Sequence, residues 1–184
     1  QYRRVTNQWS TVGADLTPVR NVTFVYSNNF NLTSSYTNTI TGYTRIKDVF
    51  NHTTHYDCAN SLITNIVDAL GQTNAQLWYA DDATAPGYPR SLWRTRDKRN
   101  LWTELKYDYN GNVTNTVTWG NLPGDGTTQY ATNTAAYDPN SLPTLTTDPA
   151  GNRVQTLNHA QYPFLPEYVI LYAGATPTVT NKMA

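Results

Sequence analysis

The chain has 184 residues, and its 13 basic and 13 acidic side chains give a formal net charge of zero. This length fits one domain or a piece of a larger one, and the balanced charge argues against a nucleic-acid-binding protein. The sequence has no apolar run of about 18 residues that would predict a membrane span, and its single cysteine, Cys58, excludes an internal disulfide framework.

The residue types favour strands and turns over helices. The chain contains 14 Tyr and 5 Trp, it is rich in Thr and Asn, and its Glu residues are only Glu104 and Glu167. Thr and Tyr favour strands, whereas Asn and Gly favour turns. We therefore predict an all-β fold of successive antiparallel hairpins.

The first clear unit begins at Tyr56-Asp57 and reads YDCANSLITNIVDALGQT. Its segment Ser61 to Leu70 comes closest to a helical pattern, but the β-branched residues within it favour a strand. The segment Asp68 to Gly71 is an Asp-x-x-Gly turn. Upstream, Tyr26 to Thr33 (YSNNFNLT) is interpreted as a degenerate copy of the unit without the Asp.

Downstream, residues Asp81 to Pro89 are rich in Gly, Pro and Ala and predict a surface loop. A second turn of the same kind follows at Asp97, with Asn100 in place of Gly; Asn also adopts the left-handed conformation readily. The stretch Tyr107 to Trp119 then reads YDYNGNVTNTVTW. Alternating residues on both sides of Asn110-Gly111 strongly predict a β-hairpin.

A second predicted loop covers Asn121 to Ala136, and a third unit follows at Tyr137-Asp138. This unit aligns with the one at Tyr56 through Asn-Ser-Leu and through an Asp-x-x-Gly turn at Asp148. The recurrence indicates a repeated hairpin architecture with loops of variable length. Asp57, Asp108 and Asp138 are accordingly interpreted as acceptors that fasten turns.

These motifs resemble the YD-repeat, or Rhs-repeat, family. The resemblance is clearest over residues 43–160 and weaker over 1–42 and 161–184, within one β-rich segment covering 1–184. The residues that carry it are Tyr56, Asp57, Asp68, Gly71, Asp97, Tyr107, Asp108, Gly111, Asn112, Tyr137, Asp138, Asp148, Gly151 and Asn152.

The resemblance implies a fold and a role. YD repeats form a long sheet of hairpins that spirals into a hollow shell, which encloses a C-terminal toxin in bacterial Rhs and insecticidal toxin-complex proteins and supports adhesion in teneurins. It implies a structural scaffold segment of a large secreted or cell-surface bacterial protein, without enzyme activity or cofactor. Its partners would be the rest of its own shell and an enclosed effector. The aspartyl-protease element that ends the bacterial shell is absent, so the chain is expected to be a fragment of a longer shell.

The sequence contains three further candidate sites. His52, His55 and Asp57 form an H-x-x-H-x-D pattern, but an odd step between the two His places them on opposite faces of a regular strand, which argues against a metal site. A thiol nucleophile at Cys58 would need a nearby His base. The interpretation as repeat units therefore predicts no catalytic residue and no metal site.

A basic cluster with interleaved tryptophans is the third candidate. Its cations are Arg90, Arg94, Arg96, Lys98, Arg99 and Lys106. Aromatic and cationic side chains together can bind single-stranded nucleic acid, but Asp97 and Glu104 lie within the cluster, and no nucleic-acid partner is predicted. Trp78, Trp93 and Trp102 are candidates for a ligand surface. The alternatives to a scaffold are an adhesive or carbohydrate-binding module, a hydrolase using His52, His55 and Cys58, and a self-assembling filament subunit.

Overall fold

The computed structural model describes residues 7–12, 17–31, 39–173 and 176–182, and this part of the chain consists of strands, turns and loops without a helix. It therefore contains no helix long and apolar enough to cross a membrane. The all-β prediction is confirmed. The chain divides into two compact units, Gln1–Gln76 and Leu77–Ala184.

The first unit contains five strands and most of a sixth. They are β1 (Asn7–Val12), β2 (Thr17–Asn31), β3 (Thr39–Asp48), β4 (Thr53–Ala59), β5 (Leu62–Val67) and β6 (Thr73–Trp78). Each of the strands β1 to β5 pairs antiparallel with the strand that follows it in the chain. The segment that looked most helical thus forms β5, as its β-branched residues predicted. Residues 26–31 of the proposed degenerate unit lie within the long strand β2, where Tyr26 pairs with Thr44, and its last two residues lie outside the described residues.

The second unit contains eight strands. They are β7 (Leu92–Arg96), β8 (Trp102–Tyr107), β9 (Val113–Gly120), β10 (Gln129–Tyr137), β11 (Pro143–Thr147), β12 (Arg153–Asn158), β13 (Pro166–Ala173) and β14 (Thr176–Lys182). They also pair antiparallel in chain order. The prediction of successive hairpins is confirmed, including the hairpin of β8 and β9 around Asn110-Gly111.

One predicted loop is shorter than expected. Residues Asp81 to Pro89 do lie in the connection between β6 and β7. The second loop, predicted over Asn121 to Ala136, ends at residue 128, because β10 begins at Gln129 and Thr132 pairs with Val117 of β9. The sequence does not predict this part of β10, because its residues are small and polar and neither face of the strand shows a run of apolar side chains.

The strands enclose very little core. Among the side chains that the structure describes, Tyr107 is the one buried hydrophobic, with 8% of its surface exposed, and no polar side chain is buried. Most strand residues in both units are half-buried. A stable domain normally buries the apolar face of a sheet against a second layer. Here cross-strand neighbours provide most of the burial, which is the pattern of a sheet one layer thick.

Candidate functional site

Six turns in the described part of the chain share one hydrogen-bond pattern. In each, an Asp side chain accepts hydrogen bonds through Oδ1 from the backbone N–H groups two and four residues later. The six residues are Asp48, Asp68, Asp97, Asp108, Asp138 and Asp148. The backbone N–H of the same Asp donates to the carbonyl four residues on. Each carboxylate therefore closes a turn that the backbone alone would leave with unpaired donors.

The third residue after each Asp has a left-handed backbone. These residues are Asn51 (φ 67°), Gly71 (φ 77°), Asn100 (φ 63°), Gly111 (φ 85°), Ser141 (φ 62°) and Gly151 (φ 84°). Gly and Asn take this conformation at little cost, which explains the Asp-x-x-Gly/Asn pattern. The turns predicted at Asp68, Asp97 and Asp148 are confirmed, as is the turn-fastening role of Asp108 and Asp138.

Hydrogen bonds from the turn favour the charged forms of Asp108 and Asp148 and lower the pKa of each. The side-chain amide of Asn112, followed by backbone N–H groups of the turn, holds the pKa of Asp108 below its ordinary value. The Asn152 amide does the same for the pKa of Asp148. A general acid needs a raised pKa and a free proton to give. The pKa of Asp108 and that of Asp148 are shifted in the opposite direction, and the geometry of both residues supports a structural role.

The Tyr of the Tyr-Asp pair has its own fixed contact. The hydroxyl of Tyr107 donates to the carbonyl oxygen of Leu92 at 2.8 Å, and that of Tyr137 donates to the carbonyl of Val113 at 3.0 Å. Each acceptor is the first residue of the preceding strand. The two tyrosines thus tie the end of one strand to the start of the strand before it.

A β-bulge accompanies both tyrosines. The register shifts between Lys106 and Tyr107, and again between Ala136 and Tyr137. In the first bulge Thr114 Oγ1 donates to the Lys106 carbonyl at 3.3 Å, and in the second Thr144 Oγ1 donates to the Ala136 carbonyl at 3.2 Å. Bulges bend the strand and increase its twist. In both of these Tyr-Asp pairs the Asp closes the turn, and the bulge at the Tyr bends the strand.

Neighbouring turns also bond to one another. The Asn112 amide donates to Asp108 Oδ2 at 2.9 Å and to Ser141 Oγ at 3.1 Å, which links the turn at Asp108 to the turn at Asp138. Because the strands run antiparallel in chain order, these two turns lie at the same end of the sheet. The side chain of Asn112 therefore links the two turns at that end.

The first Tyr-Asp pair behaves differently, and the prediction that Asp57 fastens a turn is wrong. Tyr56 and Asp57 lie inside β4, and the hairpin closes later through Asn60 (φ 51°) and Ser61 (φ 64°). Two consecutive left-handed residues make the tight two-residue turn that suits a hairpin. This turn competes successfully with the Asp-x-x-Asn pattern of Asp57 to Asn60, and Asp57 instead contacts His55 and Asn65.

Sequence reasoning missed the turn at Asp48. The residues Asp48 to Asn51 form the same Asp-x-x-Asn pattern as Asp97 to Asn100, so the signal was present. His52 completes this turn: its backbone N–H donates to Asp48 Oδ1 at 2.9 Å, and its Nδ1 lies 3.0 Å from Oδ2. His52 is thus a turn residue.

His55 belongs to a polar chain on β3 and β4. Its Nε2 lies 2.8 Å from Asp57 Oδ1, while Arg45 Nε donates to its Nδ1 at 3.1 Å. The Tyr43 ring stacks on the imidazole with centroids 4.9 Å apart. Both ring nitrogens are engaged, so neither is available as a base. No group of three metal-ligating side chains occurs in the described part of the chain.

Cys58 does not join this chain. It follows Asp57 in β4, and strand alternation directs it away from the face that carries His55 and Asp57. Burial, followed by the charge of Asp57, raises the pKa of the Cys58 thiol. A nucleophilic cysteine requires the opposite shift. The geometry therefore gives no support to a hydrolase built from His52, His55 and Cys58.

The second unit has a small aromatic cluster around its one buried side chain. The Tyr107 ring contacts Tyr79 edge-on with centroids 6.0 Å apart and lies 6.4 Å from Tyr88. Tyr79 also contacts Trp93, and its hydroxyl donates to the Leu105 carbonyl at 3.0 Å. The loop before β7 thus packs its two tyrosines against Tyr107 and replaces part of the missing core.

A second group of aromatics forms a row across three strands. Trp102, Trp119 and Tyr130 are direct cross-strand partners on β8, β9 and β10. Their ring centroids are 6.2 and 6.4 Å apart, with planes only 12° and 16° from parallel. We call these three side chains the aromatic row.

Arg94 connects Trp93, one of the predicted tryptophans, with the aromatic row. Its guanidinium lies 4.3 Å from the Trp93 ring centroid and 5.6 Å from that of Trp119. Trp93 and Trp102 therefore do lie in one neighbourhood, whereas Trp78 ends β6. Sequence reasoning missed Trp119 and Tyr130 as members of this surface. Trp102 and Trp119 stand eight positions from Asn110 and Gly111 respectively, so the hairpin itself contained the signal for that pair.

Several cations of the predicted basic cluster are paired with acids. Arg94 Nε donates to Glu104 Oε2 at 2.7 Å, Arg99 lies 2.9 Å from Asp97, and Arg90 lies 3.3 Å from Asp81. This pairing lowers the positive charge that a nucleic acid would meet. Comparison of the chain with protein-family models and with curated proteins finds no match. The function is therefore inferred from the geometry of the turns and of the aromatic row.

Proposed function

We propose that this chain is a non-enzymatic scaffold segment of a large secreted or cell-surface protein whose wall is built from YD-like repeats. Its task is to extend a curved sheet one layer thick, in contact with neighbouring repeats of the same polypeptide. Such a wall would enclose or present a toxin or other effector domain. This last part rests on the resemblance of the Tyr-Asp units to the Rhs-repeat family.

One observation carries the proposal. The Tyr-Asp units at Tyr107 and Tyr137 make the same contacts: a hydroxyl bond to the first residue of the preceding strand, a bulge at the Tyr, a Thr on the bulge carbonyl and an Asp on the turn N–H groups. In these two units the Tyr, the Thr and the Asp each have a structural partner. A repeat whose recurring Tyr, Thr and Asp side chains all bond to its own strands and turns is suited to building a wall.

The thinness of the sheet supports the same role. With Tyr107 as the one buried hydrophobic among the described side chains, the segment gains little stability from a core of its own. Repeat proteins compensate because each unit is stabilised by its neighbours. Edge strands of such a sheet need a partner or a cover to avoid nonspecific pairing. A segment with this architecture fits inside a longer run of hairpins.

The proposal is tested on the natural polypeptide that contains this segment. Electron cryomicroscopy should show its strands continuing into neighbouring hairpins of one wall around an enclosed volume. Limited proteolysis should leave any enclosed domain intact, and removal of residues 92–158, the core of the second unit, should make that domain protease-sensitive. An isolated compact domain with no sheet continuing from it would contradict the proposal.

A further inference from the structure

A histidine closes the connection between β12 and β13, where six other described turns use an aspartate. Nδ1 of His159 accepts hydrogen bonds from the backbone N–H groups of Gln161 and Tyr162, at 3.1 and 3.3 Å. The backbone N–H of His159 donates to the carbonyl of Leu165 at 2.8 Å, and the N–H of Leu165 donates to the carbonyl of Tyr162 at 2.9 Å. The imidazole nitrogen thus has the role that Asp Oδ1 has in the other turns. We call residues 159–165 the histidine loop.

This arrangement determines the protonation state of the ring. A nitrogen that accepts hydrogen bonds needs its lone pair, so Nδ1 of His159 holds no proton and the neutral ring has its proton on Nε2. A proton on Nδ1 would turn the acceptor into a donor that faces two other donors. The N–H groups of Gln161 and Tyr162 would then have no partner at the imidazole, and an unpaired backbone donor is unfavourable unless water reaches it.

A carboxylate and an imidazole respond to acid over different pH ranges. Asp side chains titrate at about pH 4, whereas the charge of an imidazole ordinarily changes between about pH 5 and 8. A protonated carboxyl group also keeps an oxygen that can accept, whereas both nitrogens of an imidazolium are donors. The Asp turns therefore persist at a mildly acidic pH at which the acceptor of the histidine loop is lost.

Three other elements bring charged groups to the neighbourhood of the histidine loop. In the turn after β10, Asp138 is linked to β12 through Asn158, whose side-chain nitrogen lies 3.5 Å from Asp138 Oδ2. Glu167 lies in the bulge of β13, and Lys182 of β14 is paired with Tyr168. The two carboxylates favour a protonated imidazole by their charge, and the two N–H donors at Nδ1 oppose it.

The histidine loop carries three exposed apolar side chains. Tyr162, Phe164 and Leu165 are 55%, 71% and 59% exposed. The Tyr162 ring contacts the imidazole of His159 with centroids 5.3 Å apart, and the backbone of Leu165 makes the bond that closes the loop. Opening of the loop would therefore change how all three side chains are displayed.

We propose that the histidine loop is a pH-sensitive latch, closed when His159 is neutral and open when its Nδ1 is protonated. On opening, the N–H groups of Gln161 and Tyr162 bond to water, and the imidazole takes up a proton for which the closed loop has no place. Because the open loop binds one proton more than the closed loop, acid shifts the equilibrium toward opening. The residue pairs of β12 and β13 lie outside the loop, so the sheet is retained.

NMR of the full chain tests the latch. The nitrogen chemical shifts of the His159 imidazole should show a proton on Nε2 and none on Nδ1 at about pH 8. Hydrogen exchange, expressed as protection relative to an unstructured peptide at the same pH, should show that the amides of Gln161 and Tyr162 lose roughly fivefold or more of their protection between about pH 8 and pH 5. The amides of Ala150 and Asn152, which Asp148 holds, should keep their protection.

Variants assign the response to one residue. His159→Asp places the side chain of the other turns in the loop, so Gln161 and Tyr162 should stay protected at both pH values. His159→Ala should leave both amides unprotected at either pH. The double variant His52→Gln, His55→Gln leaves one histidine in the chain and should respond to pH as the parent does.

Unchanged protection of Gln161 and Tyr162 in the parent, or a proton on Nδ1 of His159 at about pH 8, would overturn the proposal. A pH response that survives His159→Asp, or that disappears in the double variant, would assign it to another group and would also overturn it. If the aspartate does not close the loop, its amides are unprotected at both pH values, and the imidazole shifts and exchange of the parent decide the outcome. Circular dichroism verifies that each variant retains the sheet.

Discussion

The hydroxyl of Tyr107 donates a hydrogen bond to the backbone carbonyl of Leu92, 2.8 Å away, and so joins the end of β8 to the start of β7. Tyr137 makes the equivalent bond to Val113 one hairpin further along. The tyrosines at 107 and 137 therefore do more than fill space, because each lies at a bulge and its hydroxyl satisfies a backbone acceptor at the start of the preceding strand.

Replacing Tyr107 by Phe should lower the free energy of unfolding by about 0.5–1.5 kcal/mol, the usual net contribution of one hydrogen bond. The ring and its packing on Tyr79 stay, so only the bond to the Leu92 carbonyl is lost. Urea denaturation followed by circular dichroism measures the change. Tyr109→Phe is the control and should be neutral because Tyr109 is exposed. Equal effects of the two substitutions would remove the special role of the Tyr107 hydroxyl.

Alanine at two of the turn glycines should separate backbone strain from packing. Gly111 and Gly151 have nearly the same φ, 85° and 84°, so Ala at either one should cost about 1–2 kcal/mol through the left-handed backbone. A Cβ at Gly151 would meet nothing within 4 Å, whereas a Cβ at Gly111 would lie 3.0 Å from Cζ of Tyr88. Gly111→Ala should therefore be the more destabilising in thermal denaturation. The reverse order would show that Tyr88 does not pack on this turn.

The Asp turns should make the fold sensitive to acid. The pKa values of Asp108 and Asp148 are lowered by their Asn partners, so these groups stabilise the fold above the unfolded-state pKa, about 3.9. Their contribution is lost as the pH falls through the lower folded-state pKa. The melting temperature of the parent should hold near neutral pH and fall below about pH 4.

The double variant Asp108→Asn, Asp148→Asn isolates this effect, because the amide oxygens still accept hydrogen bonds but do not titrate. Its melting temperature should be lower than that of the parent at pH 7 and should fall less between pH 5 and pH 2, the range in which Asp titrates. If the melting temperatures of parent and variant fell equally between pH 5 and pH 2, the charges of Asp108 and Asp148 would not stabilise the turns.

Cys58 should be a slow nucleophile. Since burial raises the pKa of its thiol, the pH midpoint for alkylation by iodoacetamide should lie above that of a free cysteine peptide in the same buffer. Mass spectrometry of the modified chain follows the reaction. A midpoint below that of the peptide would indicate an activated thiolate and would reopen the hydrolase hypothesis for this strand.

Local turn chemistry made much of the fold predictable. Asp followed by a left-handed Gly or Asn three residues later fixes the turn without help from distant parts of the chain. The hairpin at Asn110-Gly111 was therefore predictable, and the pattern at Asp48 was equally visible. Asp57 shows the limit of this reasoning: two turn sequences overlap between Asp57 and Ser61, and the tighter one forms because it lets β4 and β5 pair as far as Ala59 and Leu62.

The aromatic row was harder to predict because it depends on register over three strands. Trp102 and Trp119 follow from counting outward along one hairpin, but Tyr130 is separated from Trp119 by the loop at 121–128. The length of a loop does not determine the register on its far side. The beginning of β10 was hidden for the same reason, since its residues show no apolar alternation and it is defined by pairing with β9.

The central claim is that Asp fastens the turns of the Tyr-Asp units at 107 and 137 but not at 56. Hydrogen exchange measured by NMR tests it directly. Asp108→Ala should expose the amides of Asn110 and Asn112, and Asp138→Ala should expose those of Asn140 and Leu142 to a similar extent. Asp57→Ala should leave the amides of Asn60 and Ser61 unchanged. Opening of the Asn60-Ser61 turn by Asp57→Ala, or protection that survives Asp108→Ala, would contradict the account.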